Sequence, residues 1–230
     1  MEKNKTGKYL KYASGEIVLV VIGILIALQI NTWNNEQNAQ KAEIKYLNQI
    51  KISLEDSQLI LNERIDFDIK ILKSGFKLYG YLKNNKALND TIKQDLYIPL
   101  LDQQISLNTA AYENLKNEGL SLISNDDIKF EIINIYDQEL NYIQTTFANQ
   151  FENYISTVVS PFYSKNFEVE NGMIMEPNNY QELLKNREMT NIISTVNYLR
   201  KFAITKYEDA QKKIKGILIK IEIEIKTLKD

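Results

Sequence analysis

Few residues in this chain are equipped for chemistry, and their types narrow the field at once. Histidine and cysteine are both absent, which removes the usual general base, the thiolate nucleophile and the commonest zinc ligands. Ser-His-Asp and Cys-His sites and zinc centres are excluded. Ser74-Gly-Phe-Lys77 has the SxxK spacing of a lysine-activated serine, but neither an SDN nor a KTG companion is present, so it reads as chance on a helix end. Asp66/Asp68 and Glu168/Glu170 offer oxygen ligands without the spacing of a calcium loop, and solvated surface is the better reading. The glycines are isolated, and neither GxxxxGK(S/T) nor GxGxxG is there to cradle a phosphate. No catalytic, cofactor-binding or metal-binding residue is assigned, no cofactor is expected, and the chain is read as no enzyme.

One carboxylate stands apart. Glu16 heads EIVLVVIGILIALQINTW, a stretch that is aliphatic or glycine from Ile17 to Leu28 and meets no further charge before Glu36. Projected on a helix, Glu16, Val20, Gly23, Ala27 and Asn31 form one stripe, and Gly23 with Ala27 makes a small-xxx-small pair that permits close helix approach. Three readings of Glu16 stand. It is a boundary residue paired with Lys11 or Lys8 at headgroup level, a member of a self-association face bonded across helices together with Asn31, or a proton-carrying carboxylate.

These residues are positioned by a single membrane span. Tyr9 and Tyr12 on one side and Trp33 on the other serve as interfacial anchors, and Tyr12 to Trp33 covers roughly 30 Å of helix, the thickness of a bilayer core. The core runs into Ala27-Leu28-Gln29-Ile30-Asn31, a poor cleavage site, so an uncleaved signal anchor is expected. Lys3, Lys5, Lys8 and Lys11 precede the span, whereas the following fifteen residues hold only Lys41 and Lys45, offset by Glu36 and Glu43. That bias places the N-terminus in the cytoplasm and the rest outside the inner (cytoplasmic) membrane, in the periplasm of a Gram-negative cell. The chain divides into a cytoplasmic tail (1–11), a transmembrane helix (12–33) and an extracytoplasmic domain (34–230).

Outside the span roughly 195 residues remain, enough for one domain with a sizeable core. A net charge of −2 gives no case for nucleic-acid binding. Three prolines and eight glycines favour long helices over a turn-rich β fold.

The expected fold is all-α. From Asn34 to about Leu82 apolar residues at Ile44, Leu47, Ile50, Leu54, Leu61, Ile65, Ile69, Leu72, Phe76 and Tyr79 continue the span as one long stalk helix, fraying at Gly75 or Gly80. A short helix over 91–101 is interrupted at Pro99. Asn108 caps a helix that Gly119 ends in the left-handed conformation. Ser124 and Asn125 offer the next cap, with Asp126 and Asp127 in its first turn. The following helix buries Ile128, Ile132, Ile135, Leu140, Ile143, Phe147, Phe151, Tyr154 and Val158 and stops at Pro161. Met173-Ile174-Met175 suggests a small strand or a plug. Helix returns from Tyr180 to the end, although Ile217–Ile225 also alternates as a strand would. Three or four long helices then pack as an antiparallel bundle beyond the membrane. The last 31 residues carry nine Lys/Arg against five Asp/Glu, a surplus that meets lipid headgroups if the final helix folds back, and is otherwise a solvated face.

Two segments resemble a known family. Tyr9 to Asn34, YLKYASGEIVLVVIGILIALQINTWN, is similar to the signal anchors of uncharacterised bacterial single-span membrane proteins grouped as a domain of unknown function. Tyr112-Glu-Asn-Leu-Lys-Asn-Glu-Gly119 followed by Leu122-Ile-Ser-Asn125 resembles that family's second motif. The resemblance implies a signal-anchored, mostly helical envelope protein, and it brings no activity and no site residues.

Three functions compete. The leading one is a membrane-anchored scaffold or partner-docking component, partnered by the lipid bilayer and by copies of itself or other envelope proteins. The second is a periplasmic ligand-sensing helical bundle working with a separate signalling subunit, which would show ligand stabilisation. The third is a stator-like ion-motive subunit, for which Glu16→Gln abolishes function without disturbing assembly; that analogy rests on layout alone.

Overall fold

A computed structural model describes residues 5–102, 104–170 and 174–229. The first helix, α1, runs unbroken from Lys5 to Lys83, roughly 120 Å at the helical rise. From Ser14 to Glu36 every residue of it is exposed, and the segment is long and apolar enough to cross a membrane. From about Gln40 onward one face is covered. Leu47, Ile50, Leu54 and Leu61 are fully buried, so the extension is a member of the packed helical body and not a free stalk.

The helix does not fray at Gly75 or Gly80. A Cβ at Gly75 would overlap the side-chain amide of buried Asn197, so glycine is used there for a close approach of α1 to the last helix. The buried stripe shifts phase at this point, and Leu78 and Leu82 are buried while Phe76 is exposed.

Short elements cross one side of α1. Helix α2 (Asp90–Asp95) starts with Asn89, whose side chain accepts from the Ile92 amide, and a 3-10 turn over Ile98–Leu100 takes up Pro99. Helix α3 (Ala110–Glu118) ends at Gly119 with φ +120° and ψ 125°, outside the left-handed helical well expected for it but still a conformation that suits glycine. Asn108 accepts from the Ala110 amide, while Thr109 stands at the N-cap position.

A continuous rod follows. It comprises α4 (Asp126–Ile133), α5 (Ala148–Tyr154) and α6 (Ser160–Asn166), joined by π-helical turns over Asn134–Leu140, Tyr142–Phe147 and Ile155–Val159. Asn125 caps its start by accepting from the Asp127 and Ile128 amides. The expected stop at Pro161 does not occur. A π turn immediately before it alters the hydrogen-bond register, so the missing proline N–H falls near the start of a new α segment where it is tolerated.

The rod leads into a two-stranded antiparallel hairpin, β1 (Phe167–Glu170) with β2 (Ile174–Pro177), paired Glu168↔Glu176 and Val169↔Met175. Met175 is buried at its edge; Met173 lies outside the described residues. Helix α7 (Tyr180–Lys185) is short, and Asn186 then caps α8, Arg187–Thr227. Ile217, Ile221 and Ile225 are buried and Ile219 and Ile223 exposed, so the stretch that alternates in sequence is helical.

α8 returns antiparallel along α1. Asp68 meets Arg200, Lys51 meets Glu222 at 2.6 Å, and Gln40 donates to the Leu228 carbonyl. The end of α8 thus lies seven residues from Trp33. Glu43, which is buried, accepts from the Ser124 amide and hydroxyl at 2.8 and 2.9 Å, and Asn125 donates to Glu224. These bonds tie α1, the rod and α8 together at the end nearer the apolar run.

Candidate functional site

The residues of the candidate interaction face all lie in α1. Glu16, Val20, Gly23, Ala27 and Asn31 are exposed, and a Cβ at Gly23 would meet nothing. Glu16, Ile17, Val20 and Val21 border a shallow groove. Trp33 is exposed. Tyr9 and Tyr12 fall within the helix, but their side chains lie outside the described residues. Among the described residues the face is covered by no part of the helical body.

The polar centre of the body was not visible as a site in the sequence. Asp68, read there as solvated surface, is completely buried. Only Asp66 of that pair is exposed. Asp68 bridges two arginines: Oδ2 accepts from Arg64 Nε at 2.8 Å and Oδ1 from Arg200 Nη1 at 2.7 Å. Arg64 Nη2 also donates to Asp102 at 3.2 Å, and Arg200 Nη2 to the Leu101 carbonyl. One turn of α1 supplies Arg64 and Asp68, and α8 supplies Arg200 between the buried Val196 and Ala203. The network therefore clamps α1, α8 and the strap that carries Leu101 and Asp102.

Burial draws the Arg200 guanidinium below its ordinary value, with Asp68 pulling the other way. For Arg64 burial is the largest single effect and lowers the value, but Asp68, Tyr207 and Asp102 together outweigh it, and its value is raised. Both stay cationic, as guanidinium groups in proteins do. Two donors, Arg64 Nη1 and Arg200 Nε, are buried without an acceptor. The Arg200 guanidinium lies 5.2 Å from the Phe151 ring centroid, where the ring face offsets part of that cost.

Beside this network is a cavity of about 160 Å³ bounded by Arg64, Asp102, Gln144, Phe147, Glu152 and Tyr207, among others. The π turn over Tyr142–Phe147 and the start of α5 form one wall. Gln144 donates to the Leu107 carbonyl at 3.3 Å and so ties the strap to the rod. Burial pushes the Tyr207 phenol up to about 12.

The other sequence candidates are structural. Lys77 is bound to Asp95 at 2.7 Å, so its amine is not available to activate Ser74. Among the described residues no carboxylate cluster could hold a metal. Tyr112, in the second motif, is buried, stacks on Tyr136 with centroids 4.6 Å apart, and donates to Asp137. Tyr136 in turn donates to Ser53, which donates to the Asn108 carbonyl. Leu115 and Ile123 are fully buried. The motif holds the short elements onto α1 and the rod.

Comparison with models of known families, with characterised proteins and with solved structures returned no match.

Proposed function

We propose that the protein is a single-pass envelope protein that scaffolds or docks a partner, with copies of itself as the first partner. In this reading the N-terminus is cytoplasmic, 12–33 spans the inner membrane, and 34–230 is an antiparallel helical bundle on the periplasmic side. The resemblance to signal-anchored envelope proteins implies the anchored, mostly helical part of this reading.

One observation carries the self-association reading. Gly23 and Leu59 are 36 residues apart on one unbroken helix, as are Glu16 and Ile52, and 36 residues make about ten turns. The candidate face of the span and two exposed apolar residues, Ile52 and Leu59, therefore share one side of α1. Parallel copies meeting at Gly23 and Ala27 would bring those side chains together as well.

Because the chain has no cysteine, single substitutions report contacts cleanly. Oxidative cross-linking in membranes is expected at Val20→Cys, Gly23→Cys, Ala27→Cys and Leu59→Cys, and not at Val18→Cys or Leu25→Cys on the opposite side. Cross-linking that ignores the face, or a strict monomer with no co-purifying partner, would defeat the proposal.

A further inference from the structure

Between the rod and α8 lies an open groove of about 640 Å³. Glu131, Ile135 and Glu139 line it from the rod, and Lys213, Gly216 and Lys220 from α8. A Cβ at Gly216 would meet nothing, so the space reaches the α8 backbone. Lys213 pairs with Glu139 and Lys220 with Glu131, and these four charges cancel. The rims carry apolar side chains. Ile219 and Ile223 follow Gly216 along the outer side of α8 and are 54 % and 58 % exposed, and Phe130, one turn before the groove-lining Asn134, is 64 % exposed. Scattered exposed apolar residues are ordinary, but three of them bordering one groove mark a docking surface.

Spacing and charge choose the occupant. Lys213 and Lys220 lie two turns apart, roughly 10 Å, and Ile219 and Ile223 one turn apart. That length suits a helix laying its i, i+3, i+4 and i+7 residues into the groove. Lys212 precedes Gly216, and Lys215 precedes Ile219, by one turn of α8. Both lysines are exposed and have no ion pair among the described residues. The nearest acids outside ion pairs are Glu208 and Asp209 toward one end of the groove and Asp127 and Glu224 toward the other, each about a turn beyond it. A purely apolar helix would leave the two ammonium groups bare along its flank, and a basic one would be repelled. A helix with an acidic flank neutralises them.

We infer that the groove docks an amphipathic helix of a partner protein, with its aliphatic residues between α8 and the rod and its acidic residues against Lys212 and Lys215. Among the described residues none from α1 lines the groove, so this contact and self-association through Gly23 and Ala27 succeed or fail separately.

The test is fluorescence anisotropy on the full chain in nanodiscs of anionic lipid, with empty discs as the blank. The probe is a labelled peptide of about 18 residues with leucines at i, i+3, i+4 and i+7 and glutamates beside them. Its lysine-for-glutamate counterpart and a scrambled sequence are the controls. The acidic peptide is expected to bind above the blank, and both controls at least about tenfold more weakly. Lys212→Glu combined with Lys215→Glu is expected to weaken binding about tenfold. Lys201→Glu, exposed on the same side of α8 and roughly 16 Å beyond Lys212, should leave it unchanged. Gly216→Leu fills the groove and is expected to abolish binding. It puts a better helix former at an open position, so the Tm of the free protein should not fall. No binding above the blank, equal binding of the lysine peptide, or undiminished binding in either groove variant would overturn the inference. So would loss of the Gly23→Cys cross-link in the Gly216→Leu variant, which would make a second copy the occupant.

Discussion

Asp68→Asn is the sharpest perturbation of the helical body. The carboxylate it removes is wholly buried and is shared by two guanidinium groups at 2.8 and 2.7 Å. An asparagine of the same shape offers one accepting oxygen and turns an N–H₂ toward the other arginine, so at least one cation loses its partner and faces a donor. Arg64 keeps Asp102 and Arg200 keeps the Leu101 carbonyl, but neither of these acceptors neutralises both charges. Removing one member of a buried ion pair costs about 3–5 kcal/mol, which for a body of this size lowers Tm by roughly 6–20 °C. Urea unfolding followed by far-ultraviolet circular dichroism in detergent gives the free energy directly. Arg200→Met should cost a similar amount, and the double variant less than the sum, because the second change removes a charge that the first left unpaired. A loss below about 1 kcal/mol for Asp68→Asn, or strict additivity in the double variant, would refute the claim that this network clamps α1 to α8.

Three further outcomes follow from the packing. Gly75→Ala should destabilise by about 1–2 kcal/mol through its clash with Asn197, and in an Asn197→Ala background the same change should be neutral or favourable, read by urea midpoints. Asn125→Ala loses two cap bonds and the bond to Glu224, at a cost of about 1–2 kcal/mol, visible as a lower Tm. Burial pushes the phenols of Tyr136 and Tyr207 up to about 12, so both stay protonated in the folded protein where the unfolded chain has begun to ionise. Their contribution is complete below about pH 10 and is lost as pH rises toward 12, roughly 5 kcal/mol for the two together. Tyrosinate absorbance from these groups should then appear only with unfolding; early titration without loss of helix would contradict it.

The all-α class, the long first helix and most buried positions were legible because the apolar residues recur at helical spacing. Ile217–Ile225 was ambiguous by alternation alone, and the continuous stripe from Met189 resolved it. What escaped was set by register. Ile135 and Leu140 are five apart, a step that an α-helix cannot keep on one face but a π turn can, and that spacing was the available signal. The polar core had a signal as well. Arg64 and Asp68 lie on the stripe of Leu61 and Ile65, and Arg200 lies on that of Val196 and Ala203. Of only three arginines among 28 basic residues, these are two, and arginine is the cation suited to buried bidentate pairing. Neither the cavity nor the approach at Gly75 has a local signature, because each depends on residues more than a hundred positions apart.

The joint between the two parts of α1 decides what the anchor can communicate. Residues 34–40 contain neither proline nor glycine and are helical throughout, and they span roughly 10 Å. With 12–33 spanning a membrane as proposed, the body would sit close to the bilayer surface, on a helix continuous through 34–40. Arg64 and Asp68 belong to that same helix. Rotating the span about its axis must turn α1 against α8 and the rod, or carry the whole body with it. The bonds of Glu43 to Ser124, of Lys51 to Glu222 and of Asp68 to Arg200 favour the second outcome, since turning α1 alone would break all three. The proposed contact at Gly23 and Ala27 would accordingly fix the facing of the entire body. In the proposed reading the anchor would be an orienting device as much as a tether.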